Sequence, residues 1–96
     1  MLPSELLQTH RDKIRKVVLS HRATNVRVFG SVIHHTDTEL SDLDFLIDPT
    51  SKTSMMDIGA IRHELKQLLG IDVDVLTPNA LPDSFRKEVL NEAVQV

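Results

Sequence analysis

Residues 25–47 decide the fold, and they read NVRVFGSVIHHTDTELSDLDFLI. Short apolar runs at the two ends of this stretch predict strands over Asn25–Phe29 and Asp42–Ile47. Gly30-Ser31 ends the first strand, since glycine and serine are common where a strand turns. The stretch therefore predicts two strands joined by a polar connection that begins with a glycine turn.

Acidic residues recur at every second position in two of the predicted strands. Asp42 and Asp44 should project from the same face of their strand, because side chains two apart on a strand share a face. Such carboxylates repel each other unless a cation lies between them, and Mg²⁺ prefers hard oxygen ligands of this kind. The third predicted strand, Ile71–Leu76, carries a second co-facial pair, Asp72 and Asp74. A third carboxylate from this pair would complete a site for two Mg²⁺ ions, an arrangement that suits phosphoryl or nucleotidyl transfer.

Gly30 and Ser31 supply the second half of a candidate site. A strand that ends in Gly-Ser and continues into a short helix directs free backbone N–H groups at whatever lies beyond the strand, and such N–H groups bind phosphate. Glycine allows a close backbone approach, and the Ser31 hydroxyl adds a donor. Because the turn closes one strand and the carboxylates open the next, the two strands should be antiparallel and the sheet mixed.

The remaining segments predict helices packed on this sheet. The expected order is αβαβαβα, an α/β (α+β) fold in which about four helices pack on a small mixed three-stranded sheet, as one domain over residues 1–96. Besides the short helix after Gly30-Ser31, the helices are expected at Ser4–His21, Ser54–Leu69 and Asp83–Ala93. In the Ser54–Leu69 helix we expect Ser54 as N-cap, Asp57 at the third position and Gly70 after the end. The apolar faces expected to reach the core comprise Met55, Met56, Ile58, Ile61, Leu65 and Leu68 on this helix, and Phe85, Val89 and Ala93 on the last one.

Composition excludes several classes of protein. The chain has 96 residues with 41% hydrophobic and 26% charged residues, no cysteine and a net charge of −3. No apolar run approaches the roughly 18 residues that a membrane helix needs, so we expect a cytoplasmic protein without a membrane partner. The negative charge and the scarcity of aromatic residues argue against direct DNA binding.

At these residues the chain resembles the nucleotidyltransferase superfamily of polymerase-β-like enzymes, and most of all the minimal nucleotidyltransferases encoded beside HEPN-domain toxins. Gly30, Ser31, Asp42 and Asp44 match the family signature GS-x10-D-x-D. The third carboxylate of the family aligns best with Asp74, although Asp72 remains open. The resemblance implies that the three aspartates are catalytic and bind two Mg²⁺ ions.

The resemblance also implies a nucleotide-binding role for Gly30, Ser31 and His34. Many family members have arginine at the position of His34, and histidine is charged only in part near neutral pH. For the family as a whole, the resemblance implies transfer of AMP from ATP to a hydroxyl of a partner, typically a tyrosine of the HEPN toxin. This chain contains no tyrosine, so a tyrosine acceptor must come from another protein, and a partner or a second protomer should supply the acceptor-binding surface.

Two readings of the activity stay open. The chain is either an active adenylyltransferase or a catalytically weak antitoxin that neutralises its toxin by direct binding, and His34 favours the second reading. The acceptor, the nucleotide preference, the number of AMP units added and the oligomeric state do not follow from the sequence.

Overall fold

The structure, a computed structural model, describes residues 1–96 and contains four helices and four strands. The helices are α1 (Pro3–Thr9), α2 (Arg11–Ser20), α3 (Met55–Leu69) and α4 (Asp83–Glu92). The strands are β1 (Ala23–Phe29), β2 (Leu43–Pro49), β3 (Val73–Leu76) and β4 (Val94–Gln95). Short 3₁₀ turns follow β1 and β3, at Gly30–Val32 and Pro78–Ala80.

The strands form one mixed sheet in the order β3-β2-β1-β4. β1 pairs antiparallel with β2 and with β4, whereas β2 pairs parallel with β3. The mixed sheet and the antiparallel first pair are confirmed. The sheet has one strand more than predicted, because β4 contains only two residues and is too short to show a strand pattern.

The main core lies on the face of the sheet that α2 and α3 cover. Leu43, Phe45 and Ile47 alternate along β2, are completely buried and belong to a cluster of 16 buried apolar residues. Leu46 points to the opposite side of β2; it is also fully buried, as is Leu81, and both lie outside that cluster. Burial on both sides is consistent with the apolar run Phe45–Ile47 in this interior strand of the sheet.

Helix α3 has the ends that the sequence predicts. Ser54 accepts a hydrogen bond from the Asp57 backbone N–H at 3.1 Å, and the Asp57 carboxylate accepts one from the Ser54 N–H at 2.9 Å. Gly70 ends the helix in the left-handed conformation with φ of 70°. These contacts satisfy N–H groups that the first turn of a helix leaves without partners.

Three sequence predictions about the helices are wrong in detail. The expected first helix is divided at His10, whose backbone leaves the helical region (φ −112°, ψ 17°) and whose ring nitrogen lies 3.0 Å from the Leu6 carbonyl oxygen. Met55 and Met56 are 88% and 85% exposed instead of buried, because both side chains lie off the packed face of the helix. Phe85 is also exposed, and α4 buries none of its residues completely.

No helix in the structure combines the length and the apolar composition needed to cross a membrane.

Candidate active site

The ends of three adjacent strands bring the predicted site residues together. Asp44 of β2 is the register partner of Phe29 of β1 on one side and of Asp74 of β3 on the other. Paired positions in a sheet project to the same face, so the two carboxylates lie beside each other. Asp42 is exposed in the residue just before β2, because the strand begins at Leu43 and not at Asp42 as predicted.

The pKa of Asp44 reflects the proximity of the other two carboxylates. Partial burial, together with the negative charges of Asp74 and Asp42, raises the pKa of Asp44 to about 6 from 3.8. No hydrogen-bond donor of the protein reaches the Asp44 carboxylate to offset this cost. A half-buried carboxylate among like charges, without a donor, is the kind of group that a bound cation stabilises.

The three carboxylates do not form a closed ligand set by themselves. No group of three or more histidine, aspartate or glutamate side chains converges closely enough to be a ready-made metal centre. Asp42 and Asp74 nevertheless lie near enough to Asp44 to alter its ionisation. The donor set consists only of carboxylate oxygens, which fits Mg²⁺ better than it fits a transition metal.

Asp72 and Asp74 differ in their surroundings, although both project from the same side of their segment. The Lys66 ammonium lies 2.9 Å from the Asp72 carboxylate. The hydrogen bond from Lys66 and the charges of Lys66 and Arg62 hold the pKa of Asp72 below its ordinary value. Asp72 therefore already has a cationic partner in the protein, whereas the charge of Asp74 acts on Asp44.

The turn after β1 is fitted directly against Asp44. Gly30 has φ of 82°, in the region that favours glycine, and a methyl group at this position would collide with the Asp44 carboxylate oxygen. The Ser31 carbonyl accepts a hydrogen bond from the Thr36 N–H at 3.0 Å, which folds the following loop back on the turn. The Ser31 hydroxyl makes no hydrogen bond within the protein and is free to donate to a ligand.

His34 lies in the loop that follows this turn, and its ring contacts the end of α4. Its Nε2 atom is 3.1 Å from a carboxylate oxygen of Glu92, and both side chains are partly exposed. Sequence reasoning missed Glu92, because a single glutamate near the end of a helix carries no signal of its own. The contact brings α4 into the neighbourhood of the site.

Comparisons with known proteins give a family and several named relatives. The family model described as polymerase beta nucleotidyltransferase matches residues 12–96. A protein of Methanocaldococcus jannaschii, provisionally named a protein adenylyltransferase, is 36% identical over 84 residues, which are 88% of this chain and 90% of that protein. The protein adenylyltransferase MntA of Thermococcus cleftensis is 30% identical over 91 residues, covering 95% of this chain and 89% of MntA.

Solved structures show the same fold. A structure provisionally described as a minimal nucleotidyltransferase superimposes with a TM-score of 0.86 at 33% identity, covering 97% of this chain and 95% of the other. A toxin–antitoxin crystal structure with AMP-PNP superimposes with a TM-score of 0.73 at 20% identity, over 88% of this chain and 69% of that chain. This chain therefore belongs to the polymerase β nucleotidyltransferase family and is a minimal nucleotidyltransferase.

Proposed function

We propose that this chain transfers AMP from ATP to a hydroxyl group of another protein. The observation that carries the proposal is the position of Asp44, which is half-buried between the charges of Asp42 and Asp74 and touches the Gly30 turn. A triphosphate held at that turn would place its α-phosphate beside the carboxylates. The names of the two relatives that are 36% and 30% identical support a protein as the acceptor.

The site residues would bind two different parts of the substrate complex, the phosphates and the metal ions. Gly30 and Ser31 would bind the β- and γ-phosphates through backbone N–H groups and the free hydroxyl. Asp42, Asp44 and Asp74 would hold two Mg²⁺ ions, which when bound neutralise the triphosphate and the departing pyrophosphate.

Asp74 would also accept the proton of the acceptor hydroxyl as its oxygen attacks the α-phosphorus. The bond between the α-phosphorus and the bridging oxygen then breaks, pyrophosphate leaves, and AMP remains esterified to the acceptor. Catalysis on this scheme is mainly the positioning of reactants and the neutralisation of charge.

The acceptor is best sought in a HEPN-type toxin, with tyrosine as the favoured hydroxyl. Structures with this fold include toxin–antitoxin complexes, one of them named MntA–HepT. This chain has no tyrosine that it could modify in itself. On this proposal the chain is the antitoxin of a pair and acts by modifying its partner.

Two aspartate variants test the reaction. Asp44→Asn should abolish AMP transfer, because it removes the central carboxylate without removing core packing. Asp72→Asn is the matched control, since it is the same substitution just before the neighbouring strand, at a residue already paired with Lys66. The assay incubates each variant with Mg²⁺–ATP and a HEPN-type partner protein, and measures the intact mass of that partner. Full transfer by Asp44→Asn would refute the proposed site.

One observation favours a second candidate function. His34 stands where many relatives have arginine and is paired with Glu92, so a weakly active chain could neutralise its toxin by binding alone. Neutralisation of the toxin without nucleotide, and without a gain in mass, would establish that function. His34→Arg should raise the transfer rate if phosphate binding is what limits the wild-type chain.

A further inference from the structure

Glu92 is a residue to which neither the sequence motif nor the proposed chemistry assigns a role. It is the last residue of α4, and its carboxylate lies 3.1 Å from the Nε2 atom of His34. His34 is the fourth residue after Gly30 and follows the turn that would bind the triphosphate. The contact joins segments 58 residues apart in the sequence.

The backbones on both sides of this contact are fixed. On one side, the Thr36 N–H donates to the Ser31 carbonyl at 3.0 Å and closes the loop around His34. On the other side, Val94 of β4 pairs with Val28 of β1, two residues beyond Glu92 and two residues before Gly30. Glu92 is thus held near the turn by the sheet itself, and only the side chains remain to be oriented.

The contact determines which edge of the His34 ring is available. Nε2 faces Glu92, and Nδ1 has no partner within the protein. An arginine has five N–H donors and can bind a carboxylate and a phosphate together, whereas a histidine can donate one N–H to each only in its protonated form, the imidazolium. A histidine at this position therefore depends on its second partner more than an arginine would.

We propose that Glu92 is a positioning residue for nucleotide binding. It holds the His34 ring by Nε2, so that the Nδ1 edge is presented to a phosphate oxygen of the bound nucleotide. The inference rests on the proposed nucleotide site at the Gly30 turn, but it does not depend on what the acceptor is. It makes the end of α4 part of the nucleotide site.

Calorimetric titration with AMP-PNP in the presence of Mg²⁺ tests this role on the full chain. Glu92→Ala should weaken binding about three- to fivefold, the range open to a partly exposed charged contact. Glu92→Gln should retain most of the affinity, because its amide oxygen can accept the same Nε2–H hydrogen bond. Glu88→Ala is the matched control, one turn earlier on the same helix, exposed and without a hydrogen-bond or ion-pair partner.

A double-mutant cycle decides whether Glu92 acts through His34. His34→Ala should weaken AMP-PNP binding, and Glu92→Ala should then cause no further loss in the His34→Ala background. Thermal unfolding without nucleotide identifies any variant whose loss of binding reflects loss of folded protein.

Several results would overturn the inference. Wild-type affinity in Glu92→Ala or in His34→Ala means that the contact does not serve the nucleotide. If Glu92→Ala weakens AMP-PNP binding as much in the His34→Ala background as in the wild type, Glu92 supports the fold and not the ring. If Glu92→Gln weakens binding as much as Glu92→Ala does, the charge of Glu92 matters and not the orientation of the ring. A wild-type chain that binds AMP-PNP but transfers no AMP would refute the proposed function and leave this inference standing, whereas one that binds no AMP-PNP would refute the nucleotide site itself.

Discussion

Asp44→Asn should make the metal-free protein more stable at neutral pH. The pKa of Asp44 is raised to about 6, from 3.8, so the folded chain holds this proton more tightly than the unfolded chain does. The stability linked to that proton is complete below about pH 4 and is lost as the pH rises through about 6. At pH 7.5 the ionised Asp44 therefore destabilises the folded chain, and a neutral asparagine of similar size does not carry this unfavourable charge.

The size of the effect follows from the shift. A difference of about 2 pKa units corresponds to roughly 3 kcal/mol at 1.36 kcal/mol per unit, which is an upper limit. Because Asp44 is only half-buried, solvent screening reduces the expected gain to about 1–2 kcal/mol. For a domain of this size, that gain raises Tm by about 5–10 °C.

Urea unfolding in EDTA at pH 7.5 and at pH 4 measures this gain. We expect Asp44→Asn to exceed the wild type at pH 7.5 and to approach it at pH 4, where the wild-type carboxyl is protonated in the folded chain. Asp72→Asn is the control of opposite sign, because Lys66 lowers the pKa of Asp72 and its charge favours folding. Added Mg²⁺ should stabilise the wild type more than Asp44→Asn.

Two results would refute the reasoning about Asp44. One is a loss of stability in Asp44→Asn at pH 7.5, which would mean that the carboxylate makes a stabilising contact. The other is a gain of equal size at both pH values, which would mean that the gain does not come from ionisation.

Three further substitutions test the fold around the site by urea unfolding. Gly30→Ala should cost about 1–3 kcal/mol and more than Gly70→Ala, because both glycines have positive φ but only the Gly30 methyl would strike Asp44; equal losses would contradict the collision. Ser54→Ala should cost about 1 kcal/mol through the lost N-cap of α3, and no loss would show that the cap is dispensable. Met55→Ser should change stability by less than about 0.5 kcal/mol, because the side chain is 88% exposed, and a large loss would mean that Met55 is packed.

The sequence predicts those parts of the fold that depend only on residues close to one another in the chain. Alternation along β2 separates Phe45 from Asp44, and a period of two assigns them to opposite faces without any knowledge of the rest of the chain. Ser54 and Gly70 mark the ends of α3 through contacts within the helix itself. The position of Gly30 follows from the same kind of rule, since glycine adopts the positive φ of a sharp turn without a steric penalty.

The parts that the sequence does not predict depend on distant segments. β4 forms because Val94 pairs with Val28 at the free edge of β1, and a segment of two residues carries no strand pattern that could predict this pairing. Met56 belongs to an apolar pattern, yet its side chain at the start of α3 remains exposed to solvent. The contact of Glu92 with His34 forms only because α4 ends beside His34. The difference in surroundings between Asp72, just before β3, and Asp74 depends on a lysine from α3.

The order of the strands has a consequence for how the protein folds. β2 lies between β1, which precedes it in the chain, and β3, which follows α3. The end of the sheet that carries Asp44 and Asp74 is therefore complete only after long segments of chain have closed. A chain interrupted before β3 would have the turn and the first carboxylates but no neighbour on the other side of β2. Affinity for AMP-PNP should consequently report completed folding, and the nucleotide should in turn protect the assembled chain against unfolding by mass action.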